Sequence, residues 1–392
     1  MQLSIMKPTN YLLPFIAILM CFSSCREDEY IVYSDEQDTG KETTDADIVG
    51  MYVLCEGNMG SNKATLDYLD LSVTNGTVRY QRNIYSERNP STVKELGDVG
   101  NDIKIYGSRL WMVINCSNKV EVADVGTCKR IGQVNIPNCR YLAFDKGYAY
   151  ISSYVGPVVV DKDAPLGRIY KIDTLTLQKV DSITVGYQPD ELVVHNGKLY
   201  VANSGGYRVP QYDKTVSVVD LATFREEKKI EVAINLFRLR TDKYGQLWVT
   251  SRGDYYGKAA GLYWLAPDEK GNMAVQGHFD THISDMCIVG DSLYYIGVGF
   301  NYTSMKNEIS YGIVNVRTHQ IVTSQLTDAK EVTDIEMPYG IIVNPQNKDF
   351  YIMDAKNYVS SGELFHFLAD GTFDWRVWTG DIPAHAAFVW KK

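Results

Sequence analysis

The sequence predicts an all-β protein, a seven-bladed β-propeller with four strands per blade, closed by N- and C-terminal strands that share one blade. Three observations lead there. From Ile48 onward, short alternating apolar runs are separated by Gly, Asn and Asp, and long stretches of helical periodicity are missing. One phrase then recurs: an apolar strand, a tight polar turn, and a strand carrying an aromatic. Finally, the chain ends on a lone apolar strand while its start supplies three.

The phrase begins at Asp102, Tyr141, Glu191, Arg238, Asp285 and Gly340, advancing by 39, 50, 47, 47 and 55 residues. Its turns include Asn196-Gly197, Lys146-Gly147 and Gly290-Asp291, which suit the positive φ that two-residue hairpins demand. Each copy continues, after a loop of variable length, into a second hairpin such as VSVVDLATFREEKKI. A repeat of four strands and about this length is the pattern of a propeller, where radial repetition leaves only short strand edges. Six full units leave HAAFVW at the C-terminus and GMYVLCEGNMGSNKATLDYLDLSVTNGTVRYQ near the N-terminus. Together these complete a seventh blade.

Ahead of the propeller, residues 11–22 (YLLPFIAILMCF) follow Lys7 and run into Ser23-Ser24-Cys25. Twelve residues with Pro14 among them are too few to span a bilayer, which takes about 20. The stretch reads as a secretion signal over residues 1–24. Its small residues before cysteine resemble the lipobox of bacterial lipoproteins, which makes Cys25 the expected lipidation site. Arg26-Glu27-Asp28-Glu29 then resembles the acidic signal that exports Bacteroidota lipoproteins to the outer face of the outer membrane. Residues 25–47 are polar and acidic and read as a flexible tether, with residues 48–392 as the propeller. A lipid anchor and a spacer would hold the domain at a membrane surface.

With 39 basic and 48 acidic side chains, the chain carries a formal charge of −9, which argues against a nucleic-acid partner. Five cysteines follow Cys25: Cys55, Cys116, Cys128, Cys139 and Cys287. Their odd number and the lack of a CxxC pair indicate neither a disulfide framework nor a zinc site, although Cys116, Cys128 and Cys139 could supply one disulfide.

Several short stretches carry a family resemblance. These are Leu54-Cys55-Glu56-Gly57-Asn58, Leu96-Gly97-Asp98-Val99, Val185-Gly186-Tyr187-Gln188-Pro189, Tyr339-Gly340-Ile341 with its Asn344-Pro345 turn, and Gly380-Asp381-Ile382-Pro383. Over roughly residues 48–392 they resemble the YncE-like propellers of Bacteroidota surface lipoproteins. That family includes the BtuG-type vitamin B12-binding lipoproteins, which cap a TonB-dependent outer-membrane transporter and pass corrinoid to it. The resemblance implies surface capture of a small nutrient, with cobalamin the most concrete ligand, and no catalytic cofactor.

The residues themselves indicate where a ligand would meet the protein. There are 28 tyrosines against 12 phenylalanines. Many sit in inner hairpins, but a second group falls in loops that share one face of a propeller. The loops after each second strand are long and aromatic: residues 152–167, 203–214, 251–261, 299–310 and 355–362. They carry Tyr154, Tyr207, Tyr212, Arg252, Tyr255, Tyr256, Phe300, Tyr302 and Tyr358. The loops leading into the inner strands add Tyr187, Arg238, His282, Tyr339 and His385. Tyrosine among Gly, Ser and Asn is the composition of a recognition surface, since flat rings give contact area at low entropy cost.

Catalysis finds less support. No nucleophile motif, phosphate loop or HExxH appears among the residues. Asp102, Asp190, Glu191 and Asp285 fall near the expected channel mouth, and Asp102, Glu191 and Asp285 are the candidate cation ligands, as in propeller lactonases or lyases. The competing expectation is that these strand-start carboxylates hydrogen-bond backbone between blades. Three readings follow: a nutrient-binding surface lipoprotein, a metal-dependent enzyme, or a protein–protein adhesion module.

Overall fold

A computed structural model describes residues 35–39, 47–72, 77–92, 95–301 and 305–391. The signal segment, Cys25 and most of the expected tether lie outside these residues. Seven antiparallel sheets form the expected ring of blades. In blade 1 the order from the channel outward is Pro383–Trp390, Ile48–Cys55, Thr65–Asp70 and Arg79–Gln81, so strands from both ends of the chain share it. The six remaining blades begin at inner strands Gly100–Tyr106, Cys139–Asp145, Pro189–His195, Leu236–Thr241, Asp285–Val289 and Pro338–Val343.

Period-2 alternation explains the packing. In the second strand of blade 2, Arg109–Ile114, nearly every residue is buried because both faces are covered. Leu110, Met112 and Ile114 pack toward blade 1, while Trp111 and Val113 pack toward blade 3. The same arrangement recurs around the ring, so that among the described residues each blade–blade interface holds one large apolar cluster, with a smaller one of Met337, Ala355 and Ile382 beside the loops. The core is thus distributed as seven wedges. Inner strands also approach closely: a Cβ on Gly340 would lie 2.2 Å from the Ala384 carbonyl oxygen. Only glycine fits there.

The hairpin expectations hold in detail. Asn196 and Gly197 both have positive φ (50° and 74°), as do Lys146 and Gly147 (43° and 84°). Three features differ from the sequence reading. Glu36–Asp38, inside the segment expected to be a free tether, adds a fifth strand to the outer edge of blade 1 by pairing with Arg79–Gln81. Gln37 also exchanges two hydrogen bonds with the backbone of Trp378 in blade 7, at 2.9 and 3.1 Å. Secondly, both arms of the expected loop at 299–310 are strand, because blade 6 extends its central hairpin through Ser292–Asn301 and Lys306–Asn315. Alternating residues such as Val298 and Ile309 pair across it and carry the ladder outward. Thirdly, all five described cysteines are free thiols. Cys128 and Cys139 belong to apolar clusters on opposite sides of blade 2, which separates two of the three expected partners.

Candidate functional site: the loop-side mouth of the channel

Five inner strands are preceded by a residue with positive φ: Val99, Asn138, Gln188, Asn235 and Ile382. Such a backbone is uncommon outside glycine, and here it forms the corner that turns the chain into the channel. Register shifts follow the corner, as between Pro189 and Leu192 and between Leu236 and Leu239. A bulge of this kind re-aims the side chains beside it. The second and third residues of the inner strands therefore stock the mouth. The second position supplies Asn101, Arg140, Asp190, Phe237 and Ala384, and the third supplies Asp102, Tyr141, Glu191, Arg238 and His385.

The third position, together with Asp285 at the start of the blade 6 inner strand, builds a belt of cross-links. Asp102 accepts a hydrogen bond from the Leu142 backbone N–H at 3.0 Å, Glu191 from Leu239 at 2.7 Å, and Asp285 from Ile341 at 3.0 Å. In each case a carboxylate on blade 2, 4 or 6 ties down the fourth residue of the next blade's inner strand. Each also has a cation: Lys104 lies 3.2 Å from Asp102, Arg240 pairs with Glu191, and Arg238 lies 3.0 Å from Asp285. Burial would push the Glu191 carboxyl up, yet Arg240 and Arg238 outweigh it and hold it at about 2. These three carboxylates, the candidate cation ligands of the sequence, each accept a backbone N–H and lie beside a lysine or arginine. Among the described residues no group of three His, Cys, Asp or Glu side chains is placed to hold a metal ion.

Above the belt lies an aromatic–arginine layer. Asp190 is fully buried; its Oδ1 accepts from the Tyr154 hydroxyl at 2.7 Å and faces Arg140 Nε at 3.4 Å. Its Oδ2 faces Arg252 Nη1 at 3.4 Å. Arg140 lies over the Tyr154 ring at 4.7 Å, and Arg252 over Phe237 at 3.5 Å, a stacking that guanidinium planes favour. Burial works against the charge of Arg140 and Arg252, and the neighbouring phenols and Asp190 more than restore it. His282 is held below its ordinary value by burial and by the nearby Arg252, so it is neutral at pH 7.

The opposite rim differs. Tyr339 donates to Glu56 at 3.1 Å, His385 Nε2 lies 3.4 Å from the same carboxylate, and Tyr339 meets Tyr358 edge-on at 5.6 Å. Tyr141 bridges the two rims, contacting His385 edge-on and accepting a hydrogen bond from Arg238 at 3.2 Å. Two guanidiniums sharing one carboxylate make the blade 3–5 side positive, while Glu56 makes the blade 7–1 side negative.

The structure thus brings Tyr154, Arg238, Arg252, Tyr339, Tyr358 and His385 around one mouth. Tyr207 joins them edge-on to Tyr154 at 6.3 Å. Tyr212, Tyr255 and Tyr256 are neighbours just outside, close enough that the latter two help burial raise the Tyr212 hydroxyl. Tyr187 is covered by Arg208 at 3.6 Å. Phe300 is not at the mouth but out on the extended blade 6 hairpin, opposite Asn307. Tyr302 lies outside the described residues. Tyr154, expected as a contact ring, is buried and serves as the prop beneath Arg140.

Sequence reasoning missed Arg140 and Phe237 and the central part played by Asp190. The signal was present as a column: the residue just before each unit start reads Asn101, Arg140, Asp190, Phe237, Ser284 and Tyr339.

No family model matches the chain, and no curated protein matches it in sequence. Solved structures do match its fold. A hypothetical selenium-binding protein from Sulfolobus tokodaii superposes with a TM-score of 0.63 at 10% identity, covering 89% of this chain and 96% of that one. Kuenenia stuttgartiensis hydrazine synthase gives 0.59 at 14% identity, over 73% and 88%. The Myceliophteria thermophila Cps50 (Swd1) beta-propeller domain gives 0.51 at 11% identity, over 82% and 96%. At such identities the shared property is the fold, and the chain is a seven-bladed β-propeller.

Proposed function

We propose that this protein is a non-catalytic, lipid-anchored binder on the outer face of the outer membrane. It captures a small nutrient at the loop-side mouth and hands it to a TonB-dependent outer-membrane transporter. The observation that carries this reading is the Arg140–Asp190–Arg252 cluster set among aromatic rings. Two guanidiniums balanced by one carboxylate leave a positive charge for a ligand to neutralise, and charge-assisted bonds to arginine are strong and directional. The rings offer flat apolar area beside it, and Glu56 on the far rim offers an acceptor for amide donors. A corrinoid presents all three features: a broad ring system, peripheral amides and a phosphodiester. It is the leading candidate ligand, in keeping with the sequence resemblance. Lipidation at Cys25 and the acidic residues after it supply the anchor and address.

Isothermal titration of the mature protein with cyanocobalamin tests the reading. Saturable one-to-one heat is expected, and weaker heat with a corrinoid lacking the phosphate-bearing nucleotide loop. Absence of heat with both cobalamin and haem would overturn the choice of a flat, acidic ligand.

A further inference from the structure

The same channel has a second compartment at its other end. Below the carboxylate belt lies a cavity of about 440 Å3, within the range of small-molecule sites. It opens because the inner strand of blade 1 brings Ala386 and Ala387 to the wall. The rest of the wall is mostly apolar, with partly exposed Ile105, Phe144, Ile342 and Phe388 and half-exposed Trp390 at the rim, and His385 reaches it from the mouth side.

The belt forms the roof of this cavity, and its charges are sorted by depth. The side chains of Asp102, Glu191 and Asp285 are only 7%, 3% and 7% exposed, and each already accepts a backbone N–H. Lys104 and Arg240 are 35% and 29% exposed. The carboxylates therefore stand behind and the cations in front, so a molecule entering from below meets N–H donors at the end of an apolar tube. A cation would have to displace Lys104 and Arg240 to reach the acids, whereas an anion meets its partners first.

We infer that the lower channel is a second binding site, for an amphipathic carboxylate whose head meets Lys104 and Arg240 and whose chain lies along Ile105, Phe144, Ile342 and Phe388. It lies across the belt from the loop-side mouth and does not depend on the ligand proposed there.

Titration of the mature protein with decanoate, against decanol as the uncharged match, tests it. Decanoate is expected to bind saturably and at least tenfold more tightly than decanol. Lys104→Met should weaken decanoate at least threefold, with Arg240 keeping the remainder, and leave decanol unchanged. Ala386→Leu should weaken both at least tenfold, with the melting temperature and any cobalamin heat preserved. If Ala386→Leu fails to fold, the Lys104→Met comparison decides alone. Equal binding of acid and alcohol, no binding at millimolar decanoate, or decanoate binding indifferent to Lys104→Met would each overturn the assignment.

Discussion

The two ends of the channel are built from the same seven strands and differ in what those strands carry. At the loop-side end, corners and bulges throw long polar and aromatic residues into the opening, and arginines stack on rings. At the far end the strands have settled into regular alternation, the blade 1 strand carries alanines, and an apolar tube remains. Between them the belt from Asp102, Glu191 and Asp285 locks neighbouring blades. The difference teaches that a propeller's chemistry follows backbone irregularity. Where the strands are regular, side chains divide between the two blade interfaces; where they are not, side chains reach the axis.

Breaking the belt should erase the distinction altogether. Glu191→Ala removes the acceptor for the buried Leu239 N–H and leaves Arg240 a single carboxylate contact, the longer one of 3.6 Å with Asp285. The expected loss is roughly 3–5 kcal/mol in chemical denaturation, with both ends failing together. Acid should do the same more gently. Because the folded Glu191 carboxyl is held at about 2, below its unfolded value, its contribution is present above the unfolded pKa and is lost as pH falls through about 4 toward 2. Stability measured across that window should decline, and Glu191→Gln should flatten that part of the decline while lowering stability at neutral pH.

Other substitutions sharpen the comparison by touching one end alone. Arg252→Ala removes the positive surplus at the mouth and should weaken ligand binding there about tenfold or more, the weight of a central arginine in an interface. Decanoate binding in the lower channel should not change, as titration of both ligands against one variant would show. The smallest effect is expected at the periphery. Tyr256 is 85% exposed, so Tyr256→Ala should leave stability within about 0.5 kcal/mol, and should lower affinity at the mouth less than about fivefold.

Much of this was readable before any coordinates. The repeat, the hairpin turns and the shared terminal blade follow from alternation and turn chemistry, which are local. Arg238, Arg252, Tyr339 and His385 reach the mouth from points in the repeat that alternation and turn chemistry predict. Arg140 and Phe237 were missed because a left-handed corner and a bulge shift the phase by one residue, and alternation cannot report its own interruption. Asp102, Glu191 and Asp285 tie blades together, in line with the strand-start expectation, because close inner-strand packing needs an acceptor for a neighbouring strand's N–H; which N–H each one meets is set by the next blade and not by its own strand. Residues 299–310 looked like a loop because Gly299, Asn301 and Ser304 resemble turn formers, whereas the pairing that continues the hairpin is made rung by rung across the two arms.

The shared terminal blade has a mechanical side. Ile48, at the start of its strand, is paired with Trp390, at the end of the other, and Lys391 donates onward to the Asp47 carbonyl. Both chain ends therefore leave the ladder from the same side. A force on the N-terminal segment would first have to strip Glu36–Asp38 from Arg79–Gln81; the ladder itself would then peel rung by rung, beginning at Ile48–Trp390. The blades pack on one another around the ring, but the ladder that joins the N- and C-terminal strands of blade 1 is a zipper whose two tabs are Asp47 and Lys391.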